Sequence, residues 1–252
     1  GAYEPMMTDF MRSLAPGKPM ANGEVHMEWF THAAPWMQLW RMAARGCDIM
    51  LSWQWKQPWN LQSRTGYPAQ EPYGLWRSGR TALDMQRVAA PLLALSETPQ
   101  EIAILHTLPG LTFEPERVFQ RMQEVYNVLQ YSGAPVRFLT HQQMARGELT
   151  QDIKLVIAPG IRHMLKSSRR ALDAYTRGGG LLLTIDSPMD RTINGQPVEP
   201  SWSAPDRILK AGTDAVAWTD QTLRYEYLER MLDRSGVRRP IRIETPHGRP
   251  FF

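Results

Sequence analysis

The stretch "IKLVIAPGIRHMLKSSRRALDAYTRGGGLLLTID", residues 153–186, contains two kinds of pattern in alternation. Its two ends, 153–160 and 180–186, are nearly continuous apolar runs, which are typical of strands buried on both faces of a parallel sheet. The residues between them have helical periodicity, and the glycines that precede the second run predict the turn that ends the helix. The order strand, helix, strand predicts a β-α-β unit.

The same alternation extends toward the N-terminus. "EIAILHT" (101–107) and "PVRFLT" (135–140) are predicted strands, and residues 115–133 between them form a predicted helix with Pro at its first turn and Gly at its end. Repeated units of this kind predict a doubly wound parallel sheet. We place a domain boundary at "TPQ", 98–100.

Beyond residue 186 the alternation continues less regularly, through "DAVAWT" (214–219) and "PIRIET" (240–245). We therefore predict that the second domain spans 98–235. Residues 236–252 are predicted as the start of a further strand or a truncated C-terminal region. The chain starts "GAYEP" and ends "GRPFF" directly after a strand-like segment, so we expect a fragment of a longer protein.

Residues 1–97 have a different order of predicted helices and strands, which also indicates an α/β unit. The predicted elements are a helix at 5–14, a strand at 19–26, a helix at 35–46, a strand at 47–55, a proline-bearing loop at 56–73 and a long helix at 79–97 that Pro91 interrupts.

Composition excludes several classes of protein. The 252 residues are 42% hydrophobic and 21% charged, as in a globular protein, and the net charge of +4 comes from scattered Lys and Arg that do not favour nucleic-acid binding. A single cysteine, Cys47, rules out an intrachain disulfide.

No apolar run approaches the roughly 20 residues of a membrane span, and no signal pattern opens the chain, so we expect no membrane association and a cytoplasmic location. The Gly-rich nucleotide-binding motifs are absent, and no cofactor is predicted.

Tryptophan is unevenly distributed: seven of the nine lie in the first 76 residues. Aromatic-rich loops suit flat ligands such as sugars, whereas an aromatic core is the alternative explanation.

Three ionisable residues stand at alternate positions in "GKPMANGEVHMEW", residues 17–29: Glu24, His26 and Glu28. On one strand face they could ligate zinc or manganese, but the supporting histidines of such sites are missing, and no metal is predicted. The preferred interpretation is that the strand ends at Glu24, with His26 and Glu28 in the following loop.

Two segments, "MTDFMRSLAPGKPMANGE" (7–24) and "PWMQLWRMAARGCDIMLSWQWKQ" (35–57), resemble the last part of the catalytic barrel of glycoside hydrolase family 42 β-galactosidases. In that family a helix with D-x-x-R-S-L leads through G-K-P into barrel strand seven, which ends in the nucleophilic Glu. The matching residues here are Asp9, Arg12, Ser13, Leu14, Gly17, Lys18, Pro19 and Glu24, followed by Trp40, Ala44, Gly46, Asp48, Trp53, Trp55, Lys56 and Gln57.

The resemblance implies a fold and an assembly. Residues 1–97 are expected to be the last β/α units of a (β/α)8 barrel, and residues 98–235 a doubly wound, amidotransferase-like (flavodoxin-like) domain. In the family that second domain is associated with trimer formation, so a homo-oligomer, a trimer by resemblance, is expected.

The resemblance also implies the residue roles of a retaining glycosidase acting on a carbohydrate. Glu24 matches the nucleophile, and Trp53 and Trp55 at the tip of strand eight match a sugar platform. His26, Lys56 (where the family has Arg) and Glu71 (standing in for a sugar-binding Glu) complete the expected substrate-binding set. The alternative for Glu24 is a surface carboxylate just beyond a strand end.

One catalytic group has no match. The family's acid/base is a Glu preceded by Asn at the end of strand four, and this chain contains no Asn-Glu pair. We therefore expect the acid/base to lie in an upstream barrel segment outside this chain.

Two other functions stay open from the sequence. The chain could be a non-catalytic oligomerisation or carbohydrate-binding module, in which the second domain carries the function. A nucleotide-binding or amidotransferase role is weaker, because the second half has neither a Gly-rich loop nor a cysteine nucleophile.

Overall fold

The computed structural model describes residues 3–26, 34–53, 72–199, 201–211 and 220–240. These residues form two compact units, which divide between Thr98 and Pro99. The predicted strand at 214–219 and nearly all of the one at 240–245 lie outside the described residues.

The first unit is built around two parallel strands joined through a helix. Its elements are α1 (Tyr3–Leu14), β1 (Ala21–His26), α2 (Ala34–Ala43), β2 (Ile49–Trp53), α3 (Pro72–Arg87) and α4 (Ala89–Ser96). Val25 of β1, Met42 of α2 and Cys47 form its buried cluster, with Leu39 and Met50 packed against them. The β-α-β order therefore buries one face of the sheet under α2.

Asp48 aligns the starts of the two strands. Its carboxylate Oδ2 accepts a hydrogen bond from the backbone N–H of Met20 at 2.7 Å, and the Met20 carbonyl accepts from the N–H groups of Asp48 and Ile49 at 2.9 and 3.1 Å. Gly46, just before them, has a φ of 77°, a left-handed conformation that glycine adopts without strain. This turn fixes where β2 begins beside β1.

Arg12 joins three parts of the first unit. Its guanidinium donates to the Arg45 carbonyl at 2.5 Å and to the Ser96 carbonyl at 2.6 Å, which ties α1 to the ends of α2 and α4. The buried Asp9 pairs with Arg45 at 3.3 Å, and the Ser13 hydroxyl donates to the Asp9 carbonyl at 2.6 Å. The D-x-x-R-S residues of the sequence motif thus act in packing.

We expect Arg12→Met to lower the free energy of unfolding of the first unit by about 2–3 kcal/mol, because two partly buried carbonyls lose a charged donor. Urea unfolding followed by tryptophan fluorescence measures this change, since seven of the nine tryptophans lie in this unit. The matched control is Arg80→Met. Arg80 is 54% exposed and pairs with Asp84 on the surface of α3, so its loss should change the unfolding free energy by about 0.5 kcal/mol or less. Equal effects of the two substitutions would contradict the role given to Arg12.

The second unit is a doubly wound parallel sheet. Its elements are β3 (Ile102–His106), α5 (Leu108–Phe113), α6 (Pro115–Leu129), β4 (Val136–Thr140), α7 (His141–Ala145), β5 (Leu155–Pro159), α8 (Lys166–Arg177), β6 (Leu181–Ile185), β7 (Ile208–Ala211) and α9 (Gln221–Ser235). The strands lie in the order β4-β3-β5-β6-β7, all parallel. This 2-1-3-4-5 order is the flavodoxin-like one.

Helices cover both faces of this sheet. On one side α6 packs against β5 and α9, and Tyr126 of α6 stacks on Phe138 of β4 with ring centroids 6.1 Å apart. On the other side α7 and α8 contact each other, and Leu172 and Tyr175 of α8 join a buried cluster with Val156 and Leu182 of the strands. The two-sided burial explains the continuous apolar runs in the sequence and confirms the predicted α/β class.

Some predicted boundaries were wrong. The long helix predicted over 79–97 begins earlier, at Pro72, and is two helices that break at Val88. Pro91 lies in the first turn of α4, where a backbone N–H has no helical partner to lose, so the interruption falls before it. Two short elements, α5 and β7, were not predicted.

Among the described residues, no helix combines the length and the apolar character that crossing a membrane requires.

Candidate functional site

The two strands of the first unit end side by side. Val25 pairs with Ser52 and His26 with Trp53, so the backbones of three predicted site residues, Glu24, His26 and Trp53, come together at the carboxyl end of this sheet. The carboxyl ends of parallel strands are where α/β proteins place their active sites. Trp55, Lys56, Glu71 and Glu28 lie outside the described residues.

The prediction that the strand ends at Glu24 was wrong, because β1 extends to His26. The reason is local: Val25 is fully buried in the cluster with Met42, and the ladder to β2 continues through His26 and Trp53. His26 is therefore part of the strand and is not a loop residue.

A register shift interrupts β1 at the predicted nucleophile. Between Asn22 and Val25 the chain advances three residues, while the paired β2 residues Met50 and Ser52 advance only two. The extra residue is a β-bulge that contains Gly23 and Glu24. Bulges are over-represented beside active sites, where they change the direction of a side chain.

Contacts on either side of the bulge show how the strand alternation changes. The Asn22 amide donates to Sδ of Met42 on α2 at 3.3 Å, and Val25 packs against the same residue. In a regular strand, positions 22 and 25 would lie on opposite faces. Here both face α2, which leaves Gly23 and Glu24 as the two bulge positions between them. Because of this bulge, regular strand alternation cannot be used to place Glu24, His26 and Glu28 on one face.

One face of the two-stranded sheet lacks a cover among the described residues. Ile49 and Leu51 of β2 are 49% and 56% exposed, and Ala21 and Gly23 of β1 are exposed as well. Met50, the alternate residue, packs toward α2. Parallel sheets are normally covered on both faces, so this apolar face has the pattern of a surface that contacts further structure.

At the carboxyl edge of the second unit, an ion-pair network links α6 to the loop after β6. The Arg117 guanidinium donates to Asp186 Oδ2 and Oδ1 at 3.1 and 2.7 Å and to the Asp186 carbonyl at 2.8 Å, while its third nitrogen donates to Glu114 at 3.0 Å. Burial alone would lower the pKa of Arg117, but the charges and hydrogen bonds of Asp186 and Glu114 outweigh it and raise that pKa. This network connects residues that are 69 positions apart, and sequence reasoning missed it.

The glycine after β5 carries no nucleophile. Gly160 has a φ of 66°, the kind of backbone on which nucleophile elbows place a reactive side chain. A Cβ there would lie 3.0 Å from the Arg117 carbonyl oxygen, so the close approach of α6 requires glycine. The geometry gives no support to an amidotransferase-type centre at this position.

Two of the described histidines in the second unit are buried or partly buried. His163 is buried and stacks on Phe113 with ring centroids 4.5 Å apart. His106 lies at the end of β3, and burial, followed by the nearby His141, lowers its pKa. Among the described residues no group of three His, Cys, Asp or Glu side chains is arranged to hold a metal ion. Cys47 is buried, and desolvation raises the pKa of its thiol.

Several solved structures that this chain resembles are named as members of glycoside hydrolase family 42 (GH42). The chain superposes on the apo exo-carrageenase GH42 from Bacteroides ovatus with a TM-score of 0.75 and 16% identity, over 94% of this chain and 33% of that one. A catalytic mutant of Gan42B, a GH42 β-galactosidase from G. stearothermophilus, gives a TM-score of 0.61 and 17% identity over 81% and 32% of the two chains. The β-galactosidase from Rahnella sp. R3 gives 0.57 and 17% over the same shares.

These likenesses confirm the predicted fold: part of a barrel followed by a flavodoxin-like domain. The chain spans about one third of the length of each of these structures. No protein-family model and no curated protein matches the sequence.

Proposed function

We propose that this chain is the C-terminal part of a retaining, β-galactosidase-like glycoside hydrolase of the family 42 type, with Glu24 as its nucleophile. The observation that carries the proposal is the β-bulge at Gly23 and Glu24, two residues before the point where His26 pairs with Trp53. A carboxylate at the carboxyl end of a barrel strand, beside an aromatic residue on the next strand, is the arrangement that a glycosidase needs.

In this proposal the bulge changes the side of the sheet that Glu24 serves. Asn22 and Val25 both contact α2, and regular alternation would direct position 24 to the same side as position 22. The proposal requires Glu24 to serve the opposite, uncovered face. From there the carboxylate attacks the anomeric carbon and the glycosidic bond to the leaving oxygen breaks, which forms a covalent glycosyl-enzyme that water then hydrolyses.

Substrate binding is assigned to the neighbouring residues. Trp53 and Trp55 offer apolar faces to the C–H surface of the sugar, and His26, Lys56 and Glu71 are assigned to its hydroxyl groups. The β-galactosidase names of two structural neighbours support a β-galactoside substrate. The exo-carrageenase name of another makes carrageenan the second substrate to test.

The proposal requires a partner for Glu24. A retaining glycosidase has its acid/base carboxyl about 5–5.5 Å from the nucleophile. We assign this group to upstream β/α units of the same barrel, which would cover the exposed face of Ile49 and Leu51. The share of the neighbours that the chain spans, about one third, is consistent with this assignment. A homo-oligomer, by resemblance a trimer, is part of the proposal.

A complementation assay tests the proposal. This chain is mixed with the barrel segment encoded upstream of Gly1, and hydrolysis of an aryl β-galactoside is measured for each part and for the mixture. We expect activity only in the mixture. The control is the same mixture with the upstream Asn-Glu acid/base residue changed to Gln. Both mixtures are also assayed on an unactivated β-galactoside, which the changed mixture should not hydrolyse. Sugar binding by the chain without hydrolysis in the mixture would instead support a non-catalytic carbohydrate-binding module.

A further inference from the structure

The second unit contains a cleft at the carboxyl ends of β6 and β7. It has a volume of about 430 Å³ and is lined by residues from four parts of the unit, among them Arg162, Asp186, Trp202 and Lys210. Open α/β sheets bind ligands at this edge of the sheet. The cleft contains none of the residues assigned to glycoside hydrolysis, so a ligand bound in it is independent of that assignment.

Strand register explains how the cleft is lined. Leu182 pairs with Ile208 and Thr184 with Lys210, and paired residues of neighbouring strands share a face. Leu182 is buried in the cluster beneath α8, and Ile208 and Trp202 pack against that cluster. Thr184 and Lys210 continue the same face outward. The cleft thus has an aromatic and aliphatic base with a cation above it.

The loop that carries Trp202 is fixed in place. Asp173 of α8 accepts hydrogen bonds from the Ser203 backbone N–H at 2.7 Å and from the Ser203 hydroxyl at 2.8 Å. These two bonds lower the pKa of Asp173. An indole held by its neighbour and partly buried against the core is a prearranged surface for a flat ligand.

The lining is positively charged. Arg117, Arg162 and Lys210 contribute three cations against the single carboxylate of Asp186. Arg117 is fully used by Asp186 and Glu114, and Arg162 forms ion pairs with Asp190 at 3.2 Å and Glu114 at 3.8 Å. Lys210 is exposed, and no described residue forms an ion pair or hydrogen bond with its side-chain ammonium group. The cleft therefore has a cation available for an anionic group.

The loop on the other side of the cleft has an unusual backbone. Asp186 and Met189 both have a φ of 50°, and they are the only non-glycine residues with positive φ among those described. Such conformations cost free energy and persist where the surroundings hold them, often at ligand sites. Here Arg117 holds Asp186, and the Ser187 hydroxyl donates to the Ala158 carbonyl at 2.6 Å.

We propose that this cleft binds a sugar unit that carries an oxyanion, either a sulfate ester or a carboxylate. The sugar ring lies on Trp202, and Lys210 holds the oxyanion, with Arg162 as a second cation in the lining. Both ligands combine a sugar ring with one negative group. A neutral sugar would lack the ionic contact with Lys210, and a free anion would lack the contact with Trp202.

Isothermal titration of the 252-residue chain tests the proposal with four probes: galactose 6-sulfate, galacturonate, galactose and inorganic sulfate. We expect one or both charged sugars to bind at least tenfold more tightly than galactose and than sulfate. Lys210→Met should weaken that binding at least tenfold, and raising the salt concentration should weaken it as well. The sulfate ester and the carboxylate are distinguished by which charged sugar binds more tightly.

The matched control is Lys154→Met, which removes the same charge from a different cleft, at the amino ends of the strands. It should leave the affinity unchanged. Asp173→Asn, which loosens the Trp202 loop without touching the cations, should weaken the charged sugar but not inorganic sulfate. Absence of binding by both charged sugars, equal binding of galactose, or full affinity in Lys210→Met would overturn the proposal.

Discussion

We expect Glu24→Gln to lower kcat/KM of the proposed hydrolase on an aryl β-galactoside at least 10³-fold, a change of about 4 kcal/mol in transition-state free energy. The amide has the shape of the carboxylate but cannot form the glycosyl ester, so the double displacement loses its first step. KM for the substrate should change little, because the substitution preserves the size and shape of the side chain. Steady-state kinetics on the reconstituted protein measures both parameters.

The control is Glu97→Gln, the same chemical change at an exposed residue after α4 in the same unit. It should retain full activity. A second variant, Glu24→Gly, gives a sharper criterion. Azide should restore its turnover of an activated substrate and give the α-glycosyl azide, because the anion attacks the anomeric carbon from the side that the carboxylate has left. Near wild-type turnover by Glu24→Gln would rule out the assignment.

Gly180→Ala should lower the free energy of unfolding of the second unit by about 3 kcal/mol. A Cβ at this position would overlap carbons of the Tyr175 ring, which is 2% exposed, and overpacked sites of this kind cost about 1–3 kcal/mol or more. The ring cannot move freely because its hydroxyl donates to the Ile153 carbonyl at 3.1 Å. Urea unfolding followed by far-UV circular dichroism measures the loss.

Two comparisons separate this steric effect from a general loss of stability when a glycine of this unit is replaced. Gly147→Asn introduces a side chain where nothing lies within 4 Å of the new Cβ, in a left-handed conformation that Asn tolerates, and should cost about 1 kcal/mol or less. In a Tyr175→Ala background, Gly180→Ala should cost much less than in the wild type, because the overlapping ring is gone. Strict additivity of the two substitutions would contradict the steric explanation.

The sequence was sufficient to predict the sheet of the second unit because its central strands are buried on both faces. Segments such as "LVIAP" and "LLLTI" have continuous apolar runs for that reason, and the glycines that end α8 separate it from "LLLTI". The edge strand β7, "ILKA", was missed because it has four residues, one of them the exposed Lys210. The short helix α5 was missed because Pro109 and Gly110 in "LPGLTF" are typical of loops.

The residues of the candidate site stay a prediction, and the sequence did not predict the local geometry of β1. Motif resemblance was enough to choose Glu24 and Trp53, whose backbones the structure brings to adjacent strand ends. The bulge was missed, although Gly23 within a strand is a known signal for one. The role of Arg12 also depends on partners 33 and 84 residues away, which no local pattern contains.

Covalent trapping tests the central claim most directly. The reconstituted hydrolase is incubated with an activated 2-deoxy-2-fluoro-β-galactoside, which slows hydrolysis of the glycosyl-enzyme, and peptides are then sequenced by mass spectrometry. The account predicts one fluorosugar, attached to Glu24 in the peptide that contains "ANGEVH". Attachment to a different carboxylate, or an active enzyme that releases product with inverted anomeric configuration and forms no adduct, would contradict it.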